Sequence, residues 1–352
     1  MVRMSDILRR MGGEEDETPK KAKEKLPESP RKESPLQFRD DVLPATQLGT
    51  ESSEAVYQRF LDFAVNEIFE KVKSGEFSID GKKIKKNVEP IVERLLKGDS
   101  DLLYLATTRS TPDYYVYAHT VNTCIFAIAL GISLGYSQET LVTLGMGALL
   151  HDLGMTKVMD LAQKKEKLSA DEKRAVQKHV QFSMDLLKQV KDIPERCLSI
   201  AQNVHERYDG RGYPLGLAGG DLSEEAQIVA LCDIYEALTH PRRYRDRLTP
   251  YESLKEILKG KELFNPLLLK LFIQELTIYP IGCWVELSTG EQGQVVQTSP
   301  TFPLRPTLKV FYDSQKRKLV APKVIDLAKH ATLFVKRSLD EKEIQGREGS
   351  VS

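Results

Sequence analysis

The chain carries six histidines in 352 residues, and four of them keep company that can do chemistry. His119, His151, His179 and His205 each fall on, or at the end of, a helical pattern; Asp152 follows His151 directly, and Asp233 lies on a further helical pattern. A single histidine on an apolar helix face is ordinarily a satisfied core residue. Four of them with two aspartates, each able to face one centre, describe a cage of nitrogen and oxygen donors. Neutral imidazole and carboxylate ligands suit borderline and hard divalent ions such as iron, manganese or zinc, and a set without thiolates argues against structural zinc. In the adjacent pair His151-Asp152 both side chains can contribute, the carboxylate bridging two ions. Ions so held activate water at neutral pH and clamp the attacking and leaving oxygens of a phosphoryl displacement.

Around this set lie groups suited to an anionic ligand. The stretch Val204-His205-Glu206-Arg207-Tyr208-Asp209-Gly210-Arg211-Gly212-Tyr213-Pro214 follows a helix end with a loop of two glycines and a proline. Glycine lets backbone pass close to a ligand, and proline holds the turn after it. Arg211 sits inside this loop, and Arg242, Arg243 and Arg245 follow the Asp233 helix. Guanidinium forks match phosphate geometry and stack on purines; the plainer reading of the arginine run is a solvated basic turn. His240 and His330 fall outside the helical pattern and read as surface or structural residues.

The elements that must position these groups are mostly helices. Residues 1–50 are low in aromatics, mixed in charge and broken by Pro19, Pro27, Pro30, Pro35 and Pro44, which reads as a disordered tail. Val56, Phe60, Phe63, Ala64, Phe69 and Val72 recur at helical spacing up to Gly75; Ile84, Val88, Ile91, Val92, Leu95 and Leu96 do so up to Gly98. Neither helix shows chemistry on its faces, so residues 51–110 read as a helical segment propping the main domain. From 111 to 278 helix follows helix. His119 shares its helix with Val121, Ile125, Ile128 and Ala129, and Leu141 to Leu150 delivers His151-Asp152 before Gly154. Ser169 to Glu172 forms a capping box opening the helix of His179, and Pro194 suits the first turn of the helix leading to His205. Ser223 caps the Asp233 helix, Thr249-Pro250-Tyr251-Glu252 is a second capping box, and Asn265-Pro266 opens the last helix. Trp284 to Leu287, Gln294 to Val296, Leu308 to Tyr312 and Val320 onward are then rich in β-formers, with turns at Thr289-Gly290 and Asp313-Ser314. Residues 279–338 therefore read as a small antiparallel β appendage and 339–352 as a polar tail. The fold class is mainly α.

Bulk properties exclude several function classes. Hydrophobic residues make 41% and charged residues 29%, with formal net charge zero, so no global field points to a nucleic-acid polymer. Cys124, Cys197, Cys232 and Cys283 are scattered, as free thiols of a reducing cytoplasm would be. Met1 to Met11 has no apolar core of a secretory signal, and the apolar run near Val121 to Leu134 reads as too short and too polar to span a bilayer. The expectation is a cytoplasmic protein.

Three ordered blocks resemble a known family. His151-Asp152-Leu153-Gly154 resembles the HD signature of metal-dependent phosphohydrolases, and His205 to Leu217 resembles the hallmark loop of their HD-GYP branch. Asp233-Ile234-Tyr235-Glu236-Ala237-Leu238-Thr239, followed by Arg242, Tyr244 and Arg245, is similar to that branch's next block. The likeness covers about Tyr114 to Leu258. It implies an HD-type bundle of five core helices with additions, and iron- or manganese-dependent hydrolysis of the bacterial messenger cyclic di-GMP to pGpG or GMP. It makes His119, His151, Asp152, His179, His205 and Asp233 ligands of two metal ions, with Asp152 bridging and the His151-Asp152 pair central to catalysis. Tyr213 and Pro214 would shape the substrate mouth; Arg242 and Arg245, with Arg211 and Lys157, would approach phosphates or guanines. Members of the branch often carry a separate sensory segment, signalling protein partners and a homo-oligomer are allowed, and the β appendage resembles a tail on some members.

Three positions depart from that pattern. Val204 stands where the family places a second histidine, and Met155 where it places a lysine, leaving Lys157 as the nearest substitute. Tyr115 stands where some members carry a glutamate for a third metal, so two metals are expected at most. Lost ligands weaken affinity, and a lost phosphate-directed lysine costs transition-state stabilisation. Two rival readings follow: a receptor that binds cyclic di-GMP without turnover, and a hydrolase of another nucleotide or hybrid cyclic dinucleotide.

Overall fold

The computed structural model describes residues 51–76, 79–109, 115–164, 166–241, 247–275, 279, 281–298, 305–339 and 343–344. The leader 1–50, Arg242, Tyr244, Arg245 and the side chain of Tyr115 lie outside the described residues.

Helix α1 (Ser53–Phe63) starts where Ser52 Oγ accepts the amide of Ala55, continues through a π turn (Ala64–Phe69) into α2 (Glu70–Ser74), and stops at Gly75 with φ +81°. Val56, Phe60, Phe63, Ala64, Phe69 and Val72 are all buried, as their spacing requires. The π turn is invisible to a 3.6-residue period because it inserts one extra residue per turn. Helix α3 (Gly81–Leu96) buries Ile84, Val88, Ile91, Val92 and Leu95, but Leu96 falls off the stripe and is 46% exposed. The periodicity reading passes over α4 (Ser100–Thr108), which is fixed by its cap: Asp99 accepts the Leu102 amide at 3.1 Å and pairs with buried Arg94 at 2.7 Å.

Helix α5 (Tyr115–Ser133) is the central rod, packed on α6 (Gln138–Leu150). It corrects the estimate of the apolar run. Val116–Ser133 is long and apolar enough to cross a bilayer, yet 78% of it is buried inside the protein, which is where a core helix belongs. After α6 come a 3₁₀ turn (Leu153–Lys157), α7 (Met159–Ala162) and α8 (Ala170–Gln177), the last opened by the reciprocal Ser169–Glu172 box. The helical path breaks at Lys178, so His179 opens its own helix, α9 (His179–Leu187), and does not ride in the helix that Ser169 caps. Pro194 is the N-cap of α10 (Glu195–Asn203), one residue earlier than its expected place. Ser223 caps α11 (Glu224–Thr239), which lies against α5; Thr249 and Glu252 box α12 (Pro250–Lys259), and Asn265 Oδ1 accepts the first amides of α13 (Pro266–Glu275).

The C-terminal strands form one antiparallel sheet in the order β4-β3-β2-β1-β5. They are β1 (Trp284–Leu287), β2 (Gln292–Gln297), β3 (Thr307–Tyr312), β4 (Lys318–Asp326) and β5 (Val335–Leu339). Strand β5 was not anticipated: Val335-Lys336-Arg337-Ser338-Leu339 alternates weakly, and only its pairing with β1 defines it. Val285, Leu287, Val295, Leu308, Val310 and Val335 join the same apolar core as the helices.

Candidate metal centre

Five helices deliver the six expected ligands to one place. His119 sits in the second turn of α5, His151 caps the C-terminus of α6 with Asp152 next, His179 is the first residue of α9, His205 follows α10, and Asp233 lies mid-way along α11. All six are at least nine-tenths buried. They fall into two groups of three, His119, His151 and Asp233 beside Asp152, His179 and His205, each group with its ligand atoms within 4.8 Å of one another.

Asp152 joins the groups. Its Oδ1 lies 3.2 Å from His179 Nε2, 3.4 Å from His205 Nε2 and 3.5 Å from His151 Nε2, while Oδ2 is 4.0 Å from His119 Nε2. Oδ1 thus lies among His179, His205 and His151 and Oδ2 on the His119 side, so the carboxylate sits between the two groups, the place a bridging carboxylate needs. Asp233 closes the first group, with Oδ1 at 3.0 Å from His119 Nε2 and 3.9 Å from His151 Nε2.

The far side of three imidazoles is tied down. His151 Nδ1 donates to the Ala148 carbonyl at 2.7 Å, His179 Nδ1 to the Val176 carbonyl at 2.6 Å, and His119 Nδ1 to the carboxylate of Glu236. Each bond fixes the tautomer and turns the Nε2 lone pair inward, as metal-binding histidines require. His205 is held differently, its ring stacked on Tyr213 with centroids 5.0 Å apart and planes 10° from parallel.

Electrostatics suit cations. Burial pushes Asp152 up, but His151, His179 and His205 overcome it and hold the carboxyl well below its usual range. Asp233 is likewise held down by His119 against burial. Burial and the neighbouring His179 lower His205 to about 4, so its imidazole is neutral at pH 7. Three ligand-capable atoms, His151 Nε2, His205 Nδ1 and Asp233 Oδ2, are buried with no hydrogen-bond partner among the described residues. His179 Nε2 and His205 Nε2 face each other at 2.8 Å, where two lone pairs tolerate one another only with a proton or cation between them. Orphaned donors of this chemistry fit divalent ions.

The glycine loop is built around Glu206, to which its motif position alone assigns no role. Buried Glu206 accepts the amides of Leu215, Gly216 and Leu217 at 2.6, 3.1 and 3.1 Å. Gly212 passes directly over the Glu206 backbone, where a Cβ would collide with it, and Gly210 has φ +79°. Ser183, one turn after His179, was also missed: its hydroxyl donates to the His151 carbonyl at 2.9 Å and accepts the Gly154 amide at 2.8 Å. Glu236 was legible in principle, because it lies three residues after Asp233 on the same helix face.

The expected substrate groups are less concentrated. Tyr213 touches the centre through His205, and Pro214 is exposed on the same loop. Arg211 is exposed and turns back on Asp209 at 2.7 Å. Lys157 is exposed on its 3₁₀ turn, and Val204 points into the apolar core. Of the two histidines set aside, His240 is buried beside Glu236 at 3.0 Å and His330 is exposed.

Comparison with known proteins adds independent weight. The profile of the HD domain matches residues 92–267, half of the chain. The chain belongs to the HD domain family. Its motif loop resembles that of the HD-GYP branch, and a second profile, the KOW domain associated with HD domain, matches residues 284–347. A cyclic di-GMP phosphodiesterase of Pseudomonas aeruginosa is 30% identical over 267 residues, 76% of this chain and 64% of the relative. One of Borreliella burgdorferi is 26% identical over 60% of this chain and 56% of its own length. A 3'3'-cGAMP-specific phosphodiesterase of Vibrio cholerae is 29% identical over 45% of this chain and 31% of its own. The chain thus spans less than two thirds of the length of these relatives. A solved structure of an HDG"Y"P protein from Bdellovibrio bacteriovorus shares the fold, with a TM-score of 0.52 at 18% identity over 64% of this chain and 74% of that one. HD phosphohydrolases are metal-dependent, and both histidine–aspartate groups lie inside the matched region.

Proposed function

We propose that the chain is a metal-dependent phosphodiesterase that opens a cyclic dinucleotide, cyclic di-GMP first among them, to pGpG or GMP. One observation carries this reading: two buried ligand groups lie side by side with the Asp152 carboxylate between them, within 4.0 Å of all four histidines. His119, His151 and Asp233 would hold one ion and His179 and His205 the other, iron or manganese by donor type. Bound there, such a pair supplies Lewis acidity and a nucleophile from water. The protein's own part is to fix the geometry. Nδ1 bonds orient three imidazoles, Ser183 ties the His151 turn to α9, and Glu206 folds the glycine loop beside His205. Residues 111–278 carry this chemistry, flanked by 51–110 and 279–338. Arg211, Tyr213, Pro214, Arg242, Arg245 and Lys157 are the groups proposed for the dinucleotide, and the names of the relatives support that substrate class.

The test is incubation of the purified chain, loaded with Mn²⁺ or Fe²⁺, with cyclic di-GMP and a hybrid cyclic dinucleotide. Linear product from the first is expected. Product from the hybrid alone moves the substrate, calorimetric binding without product makes the chain a receptor, and neither binding nor product from folded, metal-loaded protein refutes the reading.

A further inference from the structure

The imidazole of His119 is the end of a buried polar chain that leaves the site and runs into the N-terminal helices. Its Nδ1 donates to Glu236, which is fully buried. The other oxygen of Glu236 accepts from the amide nitrogen of Asn122 at 3.1 Å and lies 3.0 Å from His240 Nδ1. The Asn122 amide is itself oriented, because its Oδ1 accepts the hydroxyl of Tyr57 at 2.8 Å and its nitrogen also donates to the Arg109 carbonyl at 3.2 Å. Tyr57 is on α1, more than sixty positions before the first ligand, and is buried. Burial, with the Glu236 charge behind it, raises the Tyr57 pKa, so the hydroxyl stays protonated and donates. The shortest contacts run in one direction, tyrosine donor to amide acceptor, amide donor to carboxylate, imidazole donor to carboxylate, with the Arg109 carbonyl also within reach of the Tyr57 hydroxyl at 3.3 Å.

We propose that Tyr57 and Asn122 are positioning residues that hold Glu236, and through it His119, so that helix α1 sets the affinity of the ion site formed by His119, His151 and Asp233. This rests on reading that group as a metal site. Glu236 fixes the tautomer and rotation of His119 and raises the basicity of Nε2; Asn122 and Tyr57 keep the carboxylate from rotating toward His240 alone. Outer-shell partners of this kind are worth roughly 10–100-fold in metal affinity. A displacement of α1 would loosen one ion site and leave the other, which gives the N-terminal segment a physical means of governing the centre.

The experiment is calorimetric titration of the full chain, stripped with chelator, with Mn²⁺, alongside the electron paramagnetic resonance spectrum at one and two equivalents. Wild type is expected to take two ions. Glu236→Gln, nearly isosteric, is expected to weaken one of them by about 10–100-fold, and Tyr57→Phe to weaken the same ion by less, with the spectrum of that ion altered in both. A purely structural role would lower the melting temperature and leave both dissociation constants and the spectrum of the folded protein unchanged, and that result overturns the proposal, as does equal weakening of both ions. If Glu236→Gln does not fold, Tyr57→Phe and Asn122→Leu decide by the same criteria. Wild type that binds no Mn²⁺ removes the metal centre itself, a failure distinct from that of the relay.

Discussion

At the scale of single residues, the centre is a concentration of buried ionisable groups that no structural need explains. Buried charges are ordinarily a cost unless they are paired or bind metal. Asp152 and Asp233 are held ionised by the imidazoles around them, and three donor atoms make no hydrogen bond among the described residues. Such a site should be stabilised by what it binds. Adding Mn²⁺ at a hundred times its dissociation constant is expected to stabilise the fold by about 2.7 kcal/mol per ion, read as a rise in melting temperature. The double variant His151→Ala with Asp152→Ala should show no such rise and no bound metal, with far-ultraviolet circular dichroism close to wild type. The helix content should persist because α6 is anchored by Leu144, Leu149 and Leu150, all buried upstream of the pair. Unchanged metal stoichiometry in that variant would contradict the ligand assignment.

At the scale of elements, the loop after α10 depends on a backbone approach that only glycine permits. A Cβ at Gly212 would lie on the Glu206 and Arg207 main chain. Gly212→Ala is therefore expected to unseat the Glu206 carboxylate from the Leu215–Leu217 amides and pull Tyr213 off His205. Activity should fall at least tenfold, checked in the cyclic di-GMP assay beside a thermal melt; wild-type rates would show the loop tolerates the shift. The N-terminal helices give a pH test. Lys83 and Lys71 hold Glu67 down to about 2 from its ordinary 4.5. A depressed carboxylate contributes stability that is present above 4.5 and lost as pH falls from there toward 2. The stability difference between wild type and Glu67→Gln should therefore be present at pH 7, shrink through that window and weaken with salt, since Glu67 and both lysines reach solvent; a difference independent of pH would assign it to packing. What the sequence made legible at this scale was whatever local chemistry writes down. Ser169, Ser223, Thr249 and Asn265 announce helix starts, and His151-Asp152 and His205 announce ligands, because each signal lies within a few residues. The π turn, the break at Lys178 and β5 were hidden, as they are settled by tertiary packing, whereas α4 carries a local signal in its Asp99 cap that apolar periodicity does not register. Ser183 and the Tyr57–Asn122 contact stayed hidden because tertiary packing decides them too, their partners being 32 and 65 positions away, and Glu236, placed on the ligand face by its spacing from Asp233, kept its His119 partner hidden 117 positions away.

At the scale of the whole molecule, the helices and the sheet are not two cores placed side by side. Val285, Leu287, Val295, Leu308, Val310 and Val335 on the strands belong to one apolar cluster with the helical residues, and α12, whose Leu254 and Ile257 are buried, lies against β5. The cover is closed further by Ile344, which packs on Tyr312 and Leu339, while Arg337 pairs with Glu343 at 3.0 Å. Fully burying one aliphatic side chain is worth about 1.5–3 kcal/mol, so stripping the sheet from the helices exposes surface worth several such residues. Ending the chain after Glu275 is expected to lower the melting temperature by about 2–4 °C for each kcal/mol lost and to raise binding of a hydrophobic dye. Because the six ligands come from α5, α6, α9, α10 and α11, the truncated protein should still take Mn²⁺ below its melting point, with any loss of affinity tracking loss of folded protein. A truncation that melts like the full chain would make the sheet an independent body, and one that stays folded yet binds no metal would place the sheet among the supports of the centre.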